Sequence, residues 1–367
     1  MKIAILTQPL RANYGGVLQN YALQQILIKL GHTPITVEKD YHKYMSISRL
    51  IFEFPKRLIT KYILKKRKYI LFERKSNQYG ENVRKNFKPF IDKYINHNYI
   101  KNFDLIDVNE YNAFIVGSDQ VWRPLYNWGL LDKMFLSFIP ESSNIKRIAY
   151  AASFGASEWE YNEAQTSTCS KLIQQFDAVS TREIDGVDLC KKYLNRNDVV
   201  SVLDPTLLLN KKDYLKLCED IPNCDDNLLF AYILDVNSET ISRLEKITNA
   251  NGLKLKLVYA DEKCILSIEE WIAMFRDAKM VITDSFHGTV FSIIFNKEFY
   301  SICNISRGNS RFTSLLSQFN LQDRLFNDVK SINLNSNQID WDIIEKTKSI
   351  LQNKSIKFLA NNLNSNA

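Results

Sequence analysis

The sequence predicts an α/β protein of two doubly wound domains facing one another across a cleft. Short β-rich runs alternate with amphipathic runs of helical spacing along most of the chain, the pattern of parallel βαβ units with helices on both sheet faces. The alternation restarts after Asn210, and 367 residues exceed one ordinary core. In such sheets ligands bind beyond the carboxyl ends of the strands.

The elements follow in order. KIAILT, from Lys2, is strand-like, and GGVLQNYALQQILIKLG repeats apolar residues at helical spacing up to Gly31. TPITVEK is a second strand. A basic segment, about 41–103, then interrupts as a helical insertion. YNAFIVGS (111–118) and KRIAYAAS (146–153) are strands, EAQTSTCSKLIQQFDA a helix, AVSTRE a strand and DGVDLCKKYL a helix. VVSVLDPTLLL closes a first domain spanning 1–210. In a second domain, 211–335, NLLFAYIL is a strand and SETISRLEKITNANG a helix with a Ser cap and a stop at Gly252. LKLKLVYA, SIEEWIAMFRDA, KMVITDS, HGTVFSIIFNK and EFYSI continue the alternation. Residues 336–367 form a C-terminal helix and a tail whose last Asn and Ser residues fray.

Hydrophobic content of 45% and charged content of 24% are those of a soluble globular protein. No apolar run is long enough to span a bilayer. Polar residues follow Lys2–Leu6 too soon for a signal-peptide core. Six cysteines are scattered without a CxxC pair, which points to reduced thiols in a cytoplasm and away from a disulfide or zinc framework. Net charge is +7 and uneven: from Tyr41 to Lys101, sixteen Lys and Arg face four acidic residues, with aromatics such as Phe72, Phe87, Phe90 and Tyr94 interleaved. Helices with solvated basic faces and aromatic inner faces explain this. So does a surface attracted to anionic lipid headgroups or to a phosphate-bearing acceptor. Nucleic acid is not expected, since no binding motif accompanies the charge.

The chain has four histidines. His32, His42 and His97 read as surface residues. His287 differs: in VITDSFHGTV a strand ends, DSF turns, and HGTVFSIIF starts a helix, so His287 falls at a strand's carboxyl edge and a helix N-terminus, where an anion is favoured. Gly288 leaves room for close approach. Ser285 or Asp284 caps the helix, and Asp284 is alternatively a partner that orients His287. Asn13, Tyr14 and Gly15 occupy a similar strand-to-helix turn, without GxGxxG or GxxxxGK spacing, so no dinucleotide or ATP fingerprint is present.

Six motifs occur together in order: NYGGVLQNYALQ (13–24), FIVGSDQVWRP (114–124), IAYAASFG (148–155), STRE (180–183), VLDPTLLL (202–209) and DSFHGTVFSIIFNK (284–297). This set resembles the polysaccharide pyruvyl transferase family over about residues 1–330. The resemblance implies two Rossmann-like domains in a GT-B-like arrangement, with the basic insertion in the first. It implies transfer of a pyruvyl group from phosphoenolpyruvate to two hydroxyls of a saccharide, giving a cyclic ketal in cell-surface polysaccharide.

Phosphoenolpyruvate is about triply anionic near neutral pH, and its enol carbon must gain a proton before a sugar hydroxyl attacks. The site therefore needs cations and one acid. His287 matches the family's His-Gly motif and takes the acid/base role, gaining its proton mainly once the donor is bound. Arg182 matches a family arginine and suits a bidentate grip on carboxylate or phosphate, the alternative being a salt bridge to Glu183 or Asp185. Ser285 and Gly288 belong to the expected donor site, and either Arg307 or Arg311 completes its anion pocket, a surface role being the alternative for both. Asp119 is the expected base for a sugar hydroxyl, with a helix cap as its alternative. Asn13, Tyr14, Gln19, Asn20 and Gln120 are expected to meet the acceptor, and Trp122 to stack on a sugar face or pack in the core. Asp204-Pro205-Thr206 reads as a cap that stiffens the interdomain connection. No carboxylates stand at metal-ligand spacing, so a metal-independent reaction with no cofactor beyond the co-substrate is expected. A GT-B glycosyltransferase using a nucleotide sugar, or a non-catalytic saccharide-binding protein, are the alternative readings.

Overall fold

KIAIL carries no polar side chain after Lys2, and it forms β1 (Lys2–Leu6) with Ile3 to Leu6 at 0% exposure, as a central parallel strand requires. The computed structural model describes residues 1–11, 13–39, 53–58, 72–127, 129–224, 227–259, 264–303, 308–332 and 338–364. Around β1 a seven-stranded sheet forms in the order β3-β2-β1-β4-β5-β6-β7. Its other strands are β2 (Thr33–Lys39), β3 (His97–Ile100), β4 (Ala113–Val116), β5 (Lys146–Ala152), β6 (Ala178–Thr181) and β7 (Val200–Ser201). Every pairing is parallel. The order reverses between β1 and β4, which places a switch-point crevice beyond their carboxyl ends. The helices of this half are α1 (Tyr14–Lys29), α2 (53–58), α3 (Phe72–Tyr94), α4 (Glu163–Ile173) and α5 (Ile184–Leu194).

The insertion is not wholly helical. It ends in β3, which pairs with β2 from Thr36–His97 to Lys39–Ile100; Tyr99 and Ile100 favour extended backbone, and β2 otherwise leaves an open edge. In α3 the side chains of Val83, Phe87, Phe90 and Ile91 are buried while Lys85, Lys88 and Lys93 are exposed, the amphipathic division that its sequence implies. The basic run Lys61, Lys65, Lys66, Arg67 and Lys68 lies outside the described residues.

The second sheet runs β12-β11-β10-β8-β9, again all parallel. Its strands are β8 (Leu228–Tyr232), β9 (Lys254–Val258), β10 (Ala278–Thr283), β11 (Glu298–Ile302) and β12 (Leu325–Phe326). The helices are α6 (Lys211–Leu215), α7 (Ser238–Ala250), α8 (Ile268–Asp277), α9 (Phe286–Ile294), α10 (Ser310–Gln318) and α11 (Trp341–Asn364). The cap of α7 is Asn237, whose side chain accepts from the Thr240 amide, rather than Ser238. Ser267 and Glu270 form a capping box at α8.

Aromatic side chains join the two halves. Tyr14 at the start of α1 stacks on Trp271 of α8, with centroids 5.0 Å apart, and lies 4.7 Å from Phe87 of α3. The Tyr14 hydroxyl donates to the Leu266 carbonyl and accepts from the Leu266 amide, both at 2.9 Å. Such a stack contributes roughly 0.5–1.5 kcal/mol beyond its buried area. Helix α11 then returns to the first domain. Gln352 donates to the Leu207 carbonyl, the Leu203 amide donates to Ser355, and Lys146 donates to the Asn362 carbonyl. Among the described residues no helix is long and apolar enough to cross a membrane.

Candidate active site between the two sheets

Helix α9 begins where β10 ends. The Ser285 hydroxyl accepts from the Gly288 amide at 3.3 Å, and a Cβ on Gly288 would lie 2.3 Å from Thr283 Oγ1. Ser285 and Gly288 thus build a tight strand-to-helix turn, with that amide engaged in the cap rather than presented to a donor. Asp284 accepts from the backbone amides of Leu234 and Asp235 at 2.6 and 3.1 Å, fixing the end of β8 beside the turn.

The turn directs His287 across the domain boundary. Its imidazole lies on Gly15: a Cβ built there would fall 1.9 Å from His287 Nδ1. His287 Nε2 stands 3.6 Å from Asp204 Oδ2, an ion-pair separation rather than a hydrogen bond, and no hydrogen bond satisfies that nitrogen. Asp204 holds the cluster together. Its Oδ1 accepts from the Thr206 amide and hydroxyl at 3.0 and 2.6 Å, and its Oδ2 from Ser118 Oγ at 3.2 Å and Arg182 Nη1 at 3.0 Å. Burial alone would raise the Asp204 carboxyl, but His287, Arg182 and the Thr206 hydroxyl outweigh it and hold it far below the usual carboxylate range. Asp204 therefore caps, as its sequence context indicates, and also faces the histidine, a role that its Asp-Pro-Thr context does not reveal.

Arg182 is buried. It pairs with Glu183 through Nε at 3.0 Å and with Asp204 at 3.0 Å, while Asp119 is 3.8 Å from Nη2. Burial would lower this guanidinium, but the three carboxylates outweigh that and raise it. The salt bridge to Glu183 that the sequence offers as an alternative is what the structure contains, because a buried cation needs compensation. A bidentate grip on a donor is therefore not open to Arg182: only Nη2 lacks a hydrogen-bond partner.

Arg311, on α10, is the second buried cation. Both guanidiniums approach the Phe286 ring, Arg182 at 4.4 Å and Arg311 at 5.6 Å from its centroid. Burial and then the neighbouring Arg182 push Arg311 down to about 10, against the opposing pull of Asp119, Glu183 and Tyr126. Arg307 lies outside the described residues. The expected meeting of cations is present, but three carboxylates accompany it.

Asp119 adopts φ of 70°, left-handed backbone for a non-glycine residue and a common mark of functional turns. Its contacts are long: Asn13 Nδ2 donates to it at 3.4 Å and Arg182 is 3.8 Å away. Asn13 is exposed at this edge.

The other expected acceptor contacts are placed differently. Trp122 is fully buried, stacked on Phe135 with centroids 4.8 Å apart, and its Nε1 donates to the Met134 carbonyl. Its role is core packing, since no face is left for a sugar. Gln19 is fully buried; it donates to Thr7 and to the Gly16 carbonyl and accepts from the Ser118 amide. Asn20, also fully buried, accepts from Thr36. These two side chains satisfy polar groups between α1 and the sheet. Tyr14 belongs to the interdomain stack. Gln120 accepts from Arg123 Nη1 at 3.3 Å and lies against Gly155, while Arg123 forks onto Glu160 at 2.9 and 3.0 Å. Of the histidines read as surface residues, His32 is buried beside the N-terminal amine, His97 is half-buried near Asp92, and His42 is outside the described residues. Among the described residues, no group of three or more His, Cys, Asp or Glu side chains is placed to hold a metal ion.

Two solved structures resemble this chain. Arabidopsis thaliana UGT89C1, solved with UDP-L-rhamnose, is 8% identical with a TM-score of 0.50, over 98% of each chain. UDP-GlcNAc 2-epimerase from Neisseria meningitidis, solved with UDP-GlcNAc, is 11% identical with a TM-score of 0.46, over 98% of this chain and 94% of that one. The first likeness is one of fold and agrees with two parallel-sheet domains in a GT-B-like arrangement. No curated protein matches the chain in sequence. The model of the family described as polysaccharide pyruvyl transferase matches residues 13–304, most of the chain and all six motifs, and the protein belongs to that family.

Proposed function

We propose that this protein transfers a pyruvyl group from phosphoenolpyruvate to two hydroxyls of a saccharide, forming a cyclic ketal. One observation carries the reading: His287 sits between Gly15 and Asp204, beside two buried arginines, in the cleft between the sheets. An anionic donor has a second buried cation to meet in Arg311, on α10 beside the Phe286 ring, whose charge a phosphate or carboxylate would stabilise against burial. Arg182 serves differently. Saturated by carboxylates, it fixes Asp204 and Glu183, and Asp204 in turn orients the imidazole.

The chemistry then divides among named groups. His287 delivers a proton to the methylene carbon of the enol, making it a methyl group. The adjacent carbon is attacked by the first sugar hydroxyl, whose proton passes to Asp119, the loosely held carboxylate. The carbon–oxygen bond to phosphate breaks, phosphate leaves, and the second hydroxyl closes the ketal. One hydroxyl proton replaces that given to carbon, and the other leaves with phosphate. The cleft's burial excludes water, which would otherwise capture the activated carbon. On this reading the protein acts in the cytoplasm without a further cofactor, and the exposed basic face of α3 brings it to anionic membrane carrying lipid-linked acceptors.

The test is phosphate release. Phosphoenolpyruvate with a panel of glycosides should liberate inorganic phosphate only when an acceptor is present, with the product heavier by one ketal-linked pyruvyl group. Release of a nucleotide from a nucleotide sugar would instead establish the glycosyltransferase reading. Full saccharide handling by a folded His287→Ala variant would establish the non-catalytic one.

A further inference from the structure

Large apolar side chains that remain strongly exposed are few among the described residues, and three of them border this cleft: Leu125 at 52%, Tyr126 at 43% and Ile184 at 48% exposure. Leu125 and Tyr126 belong to the short turn that follows β4, and Ile184 opens α5 directly after Arg182 and Glu183 at the end of β6. Because β5 lies between β4 and β6, both segments issue from strands that flank the carboxyl end of β5.

Both segments are anchored to the site. The Arg123 guanidinium, forked onto Glu160, lies 5.6 Å from the Tyr126 ring centroid. The Ile184 amide donates to Ser314 Oγ at 3.1 Å, three residues beyond Arg311 on α10. Between them the Gly155 carbonyl meets Gly308 so closely that a Cβ there would lie 1.8 Å away. Exposed side chains on so well-anchored a frame are held in place at a cleft mouth, the position at which a ligand is received.

We propose that Tyr126, with Leu125 and Ile184, forms the acceptor platform: the apolar C–H face of the sugar lies on the Tyr126 ring, and its hydroxyl pair points inward to Asp119 and His287. This deepens the pyruvyl-transfer reading and rests on it. Sugar rings carry hydroxyls at the edge and C–H bonds on the faces, so recognition needs an exposed aromatic beside polar groups. Trp122, buried, does not supply one; Tyr126 does, four residues further on.

The experiment uses the full chain and soluble methyl glycosides of common hexoses and N-acetylhexosamines, which carry no lipid. Phosphate-release kinetics should show the acceptor KM raised about five- to tenfold in Tyr126→Ala, with the phosphoenolpyruvate KM unchanged and Tyr126→Phe close to the parent. An unchanged acceptor KM in Tyr126→Ala overturns the proposal. Saturation-transfer NMR with the same glycosides, without donor, separates this failure from failure of the functional reading. If the parent releases no phosphate with any acceptor, the transferase reading falls, and NMR alone decides the platform. Saturation of glycoside protons by the parent that is lost in Tyr126→Ala supports it. Equal saturation, or none with the parent, overturns it.

Discussion

A methyl group added at Gly15 tests the placement of His287 more directly than removal of the histidine does. The new Cβ would begin 1.9 Å from Nδ1, 2.1 Å from Cγ and 2.5 Å from Cε1 of the imidazole. Ordinary contact is about 3.5 Å, so the ring must retreat by roughly 1.5 Å. Gly15 lies in the first turn of α1 and is not among the positive-φ glycines, so alanine suits the backbone and favours the helix by up to about 1 kcal/mol. Overpacking of His287 costs about 1–3 kcal/mol, and the helix term offsets part of that loss. Misplacement of a catalytic group by about 1 Å typically costs on the order of 10²-fold in rate. Gly15→Ala should therefore lose turnover about a hundredfold in the phosphate-release assay while thermal unfolding falls by less than about 10 °C. Gly16→Ala is the control, because the atoms nearest its Cβ are those of the Asn13 side chain, at 3.3–3.4 Å; it should stay within about threefold of the parent. A folded Gly15→Ala protein that turns over as fast as the Gly16→Ala control would remove His287 from the chemistry.

Asp204→Asn should lower turnover by about 10²-fold with a small change in the phosphoenolpyruvate KM, because it leaves the cation at Arg311 in place and disturbs the imidazole; a raised KM with unchanged turnover would refute the orienting role. It should also cost about 3–5 kcal/mol of stability, since it leaves the buried Arg182 with one carboxylate fewer. The Asp204 carboxyl is held far below the usual carboxylate range when folded, so this contribution is complete above the unfolded value of about 4 and is lost as pH falls from there toward the folded value. The stability gap between parent and variant should accordingly narrow in chemical denaturation below about pH 4. Arg311→Gln should raise the phosphoenolpyruvate KM about 10- to 100-fold, with the acceptor KM little changed; an unchanged donor KM would show that the anion lies elsewhere. In vesicle flotation the protein should recover with anionic vesicles more than with neutral ones at low salt, and equal recovery would end the proposed membrane contact.

Most strands of both sheets were legible as apolar runs and the amphipathic helices by their period; β1, and α7 with Thr240, Leu244, Ile247 and Thr248 buried along one face, are examples. Elements that obey weaker signals were not. β12 is two residues long, and α10 opens without a capping side chain or an acidic first turn, so neither stands out from its composition. His287, Arg182 and Asp119 are visible in the sequence because each follows a strand. What sequence position does not convey is which side of a turn a side chain takes. Trp122, three residues after Asp119, turns into the core, and Gln19 and Asn20, one helical turn into α1, face the sheet. Asp204 was legible as a cap from Asp-Pro-Thr, but its second oxygen serves Arg182 and His287, both remote in sequence. Long-range convergence of that kind leaves no local mark.

The distribution of the site over the fold gives domain seating a chemical consequence. His287 comes from the second domain, Arg182, Asp119 and Gly15 from the first, and Asp204 from the connection between them. The Tyr14–Trp271 stack and the returning α11 hold the halves together, yet His287 Nε2 and Asp204 Oδ2 remain 3.6 Å apart. A contraction of roughly 0.7 Å would turn that ion pair into a charge-assisted hydrogen bond. On the proposed pyruvyl-transfer reading, a donor anion seated beside Arg311 and His287 would bridge groups on α10 and α9 to those of the first domain, so the seating of the two halves sets how well the acid is placed.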